Sequence, residues 1–84
     1  MTAKEAKVAD AYILIQTEVG KSSHVTQETR KIAGVVSVDA VTGPYDVIAR
    51  AEGKNLDSLS QAVLVKIQEV DGVTRTLTCP IVRL

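Results

Sequence analysis

Two side chains in this sequence carry chemistry of their own, a lone histidine and a lone cysteine. His24 is the only histidine of the 84-residue chain and Cys79 is the only cysteine. A metal site needs several converging ligands, and a cysteine nucleophile needs neighbours that favour its thiolate. The sequence shows neither arrangement and no acid–base pair. We therefore predict a solvated histidine in the first turn of a helix, a cysteine packed in the interior or at an interface, no metal or cofactor, and no enzymatic activity.

The composition argues against a nucleic-acid partner. Ten basic and ten acidic residues give a formal net charge of zero, whereas nucleic-acid-binding modules use an excess of Lys and Arg against phosphate. With no Trp, no Phe and only two Tyr, the chain has no aromatic platform on which bases stack. The glycines are spread along the chain and form no phosphate-binding loop.

The chain is also predicted to act in the cytoplasm, away from membranes. Its longest strongly apolar run is far below the roughly 18 residues of a transmembrane helix. Residues 1–10 mix charges and lack the apolar segment of a signal peptide. A single cysteine cannot form an internal disulfide and fits a reducing compartment.

The apolar pattern predicts one domain with six elements in the order β-α-β-β-α-β. The predicted strands are residues 11–19, 35–42, 45–52 and 73–83. Ser22 or Ser23 is expected to cap the first helix and Asn55 the second. The order is that of the ferredoxin-like α+β fold, an antiparallel four-stranded sheet with both helices on one face. The usual strand order is 4-1-3-2, and Pro80 fits an edge strand because proline lacks the N–H of an inner strand.

Helical spacing identifies the faces that should pack on this sheet. Val25, Thr29 and Ile32 form a thin stripe on the first helix. The second helix is expected to bury one face and to expose Val65, which lies opposite that face. The buried face comprises Leu59, Val63, Ile67 and Val70, with Leu56 and Leu64 beside them.

Both faces of the predicted sheet carry apolar residues, although two helices cover only one. Ile13 and Ile15 alternate with Tyr12 and Leu14 in the first strand. In the second strand, strict alternation puts Val35 and Val41 on one face and Val36, Val38 and Ala40 on the other. In the last strand, it puts Val73, Leu77, Cys79 and Ile81 on the same face. An exposed apolar sheet usually marks an interface. We therefore predict a homodimer whose helix-free faces pack together as in dimeric α/β barrels.

Residues 41–50, Val-Thr-Gly-Pro-Tyr-Asp-Val-Ile-Ala-Arg, resemble the hairpin of the Lrp/AsnC ligand-binding domain, also called the RAM domain. Further likeness lies in Ala-Tyr-Ile-Leu-Ile-Gln-Thr-Glu at 11–18, Ile-x-Gly-Val at 32–35, Leu-Asp-Ser-Leu-Ser at 56–60 and Val-Asp-Gly-Val-Thr-Arg-Thr-Leu-Thr at 70–78. The resemblance covers residues 11–83. It divides the chain into an N-terminal extension, 1–10, and one RAM domain, 11–84.

The resemblance implies a regulatory module that binds an effector, typically a free amino acid, and assembles from dimers into a ring, often an octamer. Full-length members also carry a helix-turn-helix domain, and the ten residues before the first strand are too few for one. The chain therefore resembles the stand-alone RAM type, which can also join full-length regulators of the family.

The resemblance also places the effector at the hairpin. Main-chain N–H groups in a tight turn suit a carboxylate, Asp46 would accept from the ammonium group, and Tyr45 would close one side. Competing interpretations are a purely structural turn, an Asp46 bonded to the backbone, and interface packing by Tyr45. The predicted ligand-binding residues are Val41, Thr42, Gly43, Tyr45, Asp46, Thr76 and Thr78.

Two other classes share this element order. ACT-like domains also bind amino acids, but their turn after the first strand contains a proline that Glu18–Lys21 lacks. Dimeric α+β-barrel enzymes need a cavity with several polar or aromatic groups, which this composition disfavours.

Overall fold

The computed structural model describes residues 9–84, and its elements follow the predicted order. The strands are β1 Ala9–Thr17, β2 Val35–Ala40, β3 Val47–Gly53 and β4 Val73–Pro80. Helix α1 is Ser22–Arg30, and the second helix consists of α2 Leu56–Leu59, a π-helical segment Ser60–Leu64 and α3 Val65–Gln68. The predicted ferredoxin-like α+β fold is confirmed. Because β1 begins at Ala9, most of the predicted extension lies outside the described residues.

The sheet has the order β2-β3-β1-β4 with antiparallel neighbours, which is the predicted order read from the other edge. Pro80 lies on β4, an edge strand, as predicted. Its neighbour Ile81 donates its main-chain N–H to the carbonyl oxygen of Asp10 on β1, at 2.9 Å. Main-chain groups alternate in direction along a strand, so the nitrogen of Pro80 faces away from β1. Proline therefore costs the sheet no hydrogen bond here.

The core lies between the helices and one face of the sheet. Its sheet side is formed by alternate residues of the two central strands, Ala11, Ile13 and Ile15 on β1 and Val47, Ala49 and Ala51 on β3, all fully buried. The helices contribute Val25, Leu59, Val63 and Ile67. No helix within residues 9–84 is long and apolar enough to cross a membrane.

The start of α1 differs from the prediction, whereas the start of α2 confirms it. Lys21 is the N-cap residue of α1 and makes no side-chain cap, so neither Ser22 nor Ser23 has the predicted capping role. At α2 the side chain of Asn55 accepts a hydrogen bond from the main-chain N–H of Ser58, at 2.8 Å. That bond satisfies one of the free donors at a helix N-terminus.

The π-helical segment keeps one face of the second helix aligned with the core. A step of four residues overshoots a full turn in an α-helix but falls short of one in a π-helix. The two deviations offset each other along Leu59, Val63 and Ile67, and all three are buried. Val65 is exposed, as predicted. Leu56 is also exposed, which corrects its predicted place beside the core, because it lies in the first turn before the packed face begins.

Two β-bulges correct the strand faces that strict alternation predicted. In β2, Val35 pairs with Ala51 and Ser37 with Arg50, so Val36 is an inserted residue. The insertion puts Val35 and Val38 on the same, helix-covered face, and Val38 is buried while Val36 is exposed. A second irregularity lies at the start of β4, opposite Gln16 and Thr17. There Val73 packs against the core and does not share the face of Leu77 and Cys79.

The other face of the sheet, called the helix-free face below, is apolar at its centre. Register places Tyr12, Leu14, Ile48, Leu77 and Cys79 together there. Tyr12 and Leu77 are 45% and 47% exposed, respectively. This surface is the one that the sequence predicts as an interface, because exposed apolar patches usually mark interfaces.

Candidate functional site

The candidate site is the hairpin between β2 and β3, which is anchored mainly through Asp46. The main-chain N–H of Val41 donates to the carbonyl of Asp46, at 2.9 Å, and the N–H of Asp46 donates to the carbonyl of Ile15 on β1, also at 2.9 Å. The carboxylate of Asp46 accepts from the main-chain N–H of Thr17 through Oδ2, at 2.8 Å. One residue therefore joins the base of the hairpin to the adjacent strand, as the structural interpretation of Asp46 predicted.

A second contact holds the tip of the hairpin. Gln16 donates from Nε2 to the carbonyl oxygen of Pro44, at 3.1 Å. The tip itself requires glycine, because Gly43 has φ of 139°, in a region that other residues rarely adopt. Sequence reasoning missed Gln16 and Thr17 as anchors, since nothing in their sequence neighbourhood shows that β1 will lie beside residues 41–46.

The hairpin presents free main-chain donors. Within the described residues, the N–H groups of Thr42, Gly43 and Tyr45 donate to no protein acceptor. Pro44 between them has no N–H. Three donors on a short, anchored segment are suited to bind a carboxylate without help from a side chain.

An apolar cavity of about 350 Å³ adjoins these donors. Its wall is formed by Leu14, Val41, Thr42, Pro44, Tyr45 and Ile48. Leu14 and Ile48 belong to the helix-free face, so the cavity lies where the hairpin meets that face. The structure thus brings together Val41, Thr42 and Tyr45 of the predicted site, with Gly43 and Asp46 next to them in the same hairpin.

Thr76 and Thr78 do not join this cluster within one chain. They pair with Ile15 and Ile13, so their side chains lie on the helix-covered side of β4. The hydroxyl of Thr76 is bonded to Nε2 of Gln68, at 3.0 Å. β4 is separated from β3 by β1, and two strand spacings amount to about 10 Å.

A charge cluster that sequence reasoning missed lies at the opposite end of the helix-free face. Asp10 is only 4% exposed and accepts from Arg50 at 2.7 Å and from Arg83 at 2.9 and 3.1 Å. Hydrogen bonds from Arg83 and then Arg50 hold the pKa of Asp10 below its ordinary value. The hydrogen bond that Arg50 donates to Asp10 likewise raises the pKa of Arg50. Arg50 also approaches Glu52, at 3.3 Å.

The two residues with intrinsic chemistry occupy exposed positions. His24 lies in the first turn of α1, as predicted, and borders an open cleft with Glu28 and Lys66. Cys79 lies opposite Tyr12 on the helix-free face, where it fits the predicted interface role. Within residues 9–84, no three histidine, cysteine or acidic residues are grouped closely enough to hold a metal ion.

This fold and its anchored hairpin define a small ferredoxin-like α+β domain, and comparison with known proteins identifies the family. The model of the Lrp/AsnC ligand binding domain matches residues 10–83. The chain therefore belongs to the Lrp/AsnC ligand-binding domain family, which confirms the resemblance and decides against an ACT-like domain.

Solved structures of similar size share the whole fold. Crystal structures of TTHA0845 from Thermus thermophilus and of the hypothetical protein PHS023 from Pyrococcus horikoshii are 29% and 28% identical to this chain. Their TM-scores are 0.82 and 0.79, respectively. The superpositions cover 90% and 93% of this chain, and 95% and 93% of the two neighbouring chains. AsnC of E. coli, at 18% identity and a TM-score of 0.81, shares the fold over 52% of its length and 90% of this chain.

The curated relatives are mostly longer regulators. The HTH-type transcriptional regulator FL11 of Pyrococcus horikoshii is 34% identical over 68 residues, which are 81% of this chain and 44% of that protein. The chain spans about half the length of the transcriptional regulators that it matches. A homocitrate synthase of Sulfurisphaera tokodaii is 32% identical over 68 residues, 77% of this chain but 15% of that enzyme.

Proposed function

We propose that this protein is an amino-acid effector-binding and oligomerisation module of the Lrp/AsnC type, acting in regulation in the cytoplasm. The observation that carries the proposal is the pairing of free main-chain donors at Thr42, Gly43 and Tyr45 with an adjoining apolar cavity. The predicted residues of the hairpin form the core of this proposed site.

Each part of an amino acid has a counterpart in the hairpin. The free N–H groups would bind the carboxylate, and the cavity would take an apolar side chain. The ammonium group would approach Oδ1 of Asp46, because Thr17 is bonded to Oδ2. A structural neighbour of 22% identity, the transcriptional regulator NMB0573 from Neisseria meningitidis, was crystallised as an L-Met complex, which supports this ligand class.

Assembly is the second part of the proposal. The helix-free faces of two copies would pack together, burying Tyr12, Leu14 and Leu77 in a homodimer. Dimers would then join into a ring, which we expect to be an octamer, with Thr76 and Thr78 reaching the ligand from a neighbouring dimer. Full-length Lrp/AsnC-type regulators are proposed as further partners, because the matched relatives are longer HTH-type transcriptional regulators.

A binding role is favoured over catalysis. The cavity wall holds no titratable group except Tyr45, and a dimeric α+β-barrel enzyme would need several polar groups around its substrate. The homocitrate synthase match covers only 15% of that enzyme and supplies no reason to assign its reaction here. Turnover of any substrate by the purified chain would contradict the proposal.

Binding of the twenty amino acids, measured by calorimetry and thermal shift, tests the proposal. Val41→Ala and Tyr45→Ala each remove part of the cavity wall. Each should weaken the binding of the amino acid by at least about tenfold, or about 1.4 kcal/mol. Val82→Ala, at a position 71% exposed and outside the cavity, is the matched control. The amide of the same amino acid lacks the carboxylate and should not bind. Absence of any binding below about millimolar, with assembly unchanged, would refute the sensing role.

A further inference from the structure

Gln16 lies beside the apolar cavity, although it forms no part of the cavity wall. Leu14 and Gln16 are two positions apart on β1, so their side chains share the helix-free face. Leu14 belongs to the wall, and Nε2 of Gln16 donates to the carbonyl oxygen of Pro44, another wall residue, at 3.1 Å. The half-buried amide of Gln16 is therefore held next to the cavity by its own strand and by the hairpin tip.

The bond to Pro44 fixes the direction of the Gln16 amide. A carbonyl oxygen only accepts hydrogen bonds, so Nε2 faces Pro44 and Oε1 faces the other way. Within residues 9–84, no protein donor is bonded to Oε1. Arg75 pairs with Gln16 across β1 and β4, yet no hydrogen bond joins the two side chains. The cavity thus has a positioned acceptor at its edge that the fold itself does not use.

We propose that Oε1 of Gln16 accepts a hydrogen bond from the ammonium group of the bound amino acid. Gln16 would then be a specificity-determining residue, through which the site distinguishes amino acids from carboxylic acids that lack the amino group. The inference rests on the proposed function, and it adds a residue of β1 to the predicted hairpin residues.

The chemistry of the ammonium group calls for a second acceptor. This group carries three N–H donors, and donors that leave water without finding an acceptor are unfavourable. Asp46 offers Oδ1, because its Oδ2 is bonded to Thr17. Gln16 directly precedes Thr17 on β1, so the second acceptor comes from the same end of that strand. A carboxylic acid without the amino group would leave both acceptors without a donor.

The two ends of the Gln16 amide have separable effects on binding. Nε2 holds the hairpin tip, where the main-chain donors for the carboxylate lie, so its loss would weaken every ligand that uses those donors. Oε1 would contact only the ammonium group, so its loss would weaken only ligands that carry this group. A residue that merely anchored the hairpin would lower both affinities by the same factor.

Calorimetric titration with L-leucine and with 4-methylpentanoate, which is leucine without its amino group, separates these effects. The measured selectivity is the ratio of the dissociation constant of 4-methylpentanoate to that of leucine. Gln16→Met has a similar length but lacks both amide groups, and it should reduce this selectivity by at least about tenfold, the contribution of one hydrogen bond to a charged group. Gln27→Met, at an exposed position on α1, is the matched control and should keep the wild-type selectivity.

Gln16→Glu is the second variant. Its carboxylate accepts from an ammonium group but cannot donate to Pro44, so 4-methylpentanoate should bind more weakly while the selectivity for leucine stays at least at the wild-type value. Unchanged selectivity in Gln16→Met, or an equal loss of selectivity in both variants, would overturn the role of Gln16 and leave amino-acid binding intact. A wild type that binds none of the twenty amino acids would instead overturn the proposed function, and this inference with it.

Discussion

The carboxylate of Asp46 accepts a hydrogen bond from the main-chain N–H of Thr17, 29 positions away in the sequence, at 2.8 Å. The main chain of the same aspartate bonds to Ile15 and to Val41. Asp46 therefore anchors the candidate ligand hairpin through hydrogen bonds of both its side chain and its main chain. This relationship gives Asp46 a structural role even before any ligand is bound.

Removing the carboxylate should loosen the hairpin while the rest of the sheet remains folded. Asp46→Ala leaves the N–H of Thr17 without its acceptor, a loss of about 1 kcal/mol. Hydrogen exchange should become faster at the hydrogen-bonded main-chain amides of Val41 and Asp46. Asp46→Asn, whose amide oxygen still accepts, should retain most of the protection. Unchanged exchange in Asp46→Ala would show that Gln16 and the main-chain bonds suffice to hold the loop.

Replacing Thr29 by valine should stabilise the fold. Thr29 is fully buried on α1, and within the described residues its hydroxyl has no hydrogen-bond partner. Burying an unpaired hydroxyl is unfavourable, so Thr29→Val should raise the free energy of unfolding by about 1 kcal/mol, or about 4–8 °C in Tm. Thr26→Val is the control, since the buried hydroxyl of Thr26 donates to the carbonyl of Ser22 at 2.7 Å. Calorimetry should show a gain for the first variant and none for the second.

Two glycines with similar backbone conformations should respond differently to alanine. Gly34 has φ of 98°, and a Cβ there would lie 2.6 Å from Cγ2 of Val63. Gly20 has φ of 82° with nothing within 4 Å. Gly20→Ala should cost only the backbone penalty, about 1–2 kcal/mol, while Gly34→Ala should cost at least about 1 kcal/mol more through overpacking. Equal losses in urea unfolding would show that the loop at Gly34 shifts freely away from the second helix.

Acid should weaken the fold through Asp10. Its pKa is lowered by Arg83 and Arg50 in the folded chain, so the stabilisation is complete above the ordinary aspartate pKa, about 4, and is lost as the pH falls through the lower folded value. Asp10→Asn should be less stable than wild type near pH 7, and the two stability curves should converge in acid. Asp39→Asn, which removes a carboxylate from an exposed position on β2, is the matched control variant. Parallel curves for wild type and Asp10→Asn would contradict this role of Asp10.

The architecture was predictable because glycine and the change of apolar period mark most junctions. Val63 and Ile67 at helical spacing, and Ile13 and Ile15 at strand spacing, suffice to separate helices from strands. Which face of the sheet the helices cover was not predictable, because both faces carry apolar residues. Asn55 was a recognisable cap because the helical stripe begins directly after it. The hairpin was predictable because the dipeptide Gly43-Pro44 marks a turn.

The features that could not be predicted depend on contacts between distant segments. The inserted residue Val36 puts Val35 on the same face of β2 as Val38, whereas strict alternation predicts opposite faces for them. The sequence there is nevertheless typical of an ordinary strand. Asp10, Arg50 and Arg83 become one cluster only after three strands have paired. Thr76 and Thr78 were placed by family resemblance, and their side chains lie on the helix-covered side because of the register between β4 and β1.

The π-helical segment Ser60–Leu64 has a consequence for variation in chain length. A π turn holds one residue more than the α turn it replaces, so deletion of one residue there would convert it to an α turn. Ile67 and the residues after it would keep their orientation toward the sheet. Relatives of this chain can therefore lose one residue at this position without repacking the core. In an alignment of such relatives, a single-residue gap within the second helix would mark the segment and would not indicate a broken helix.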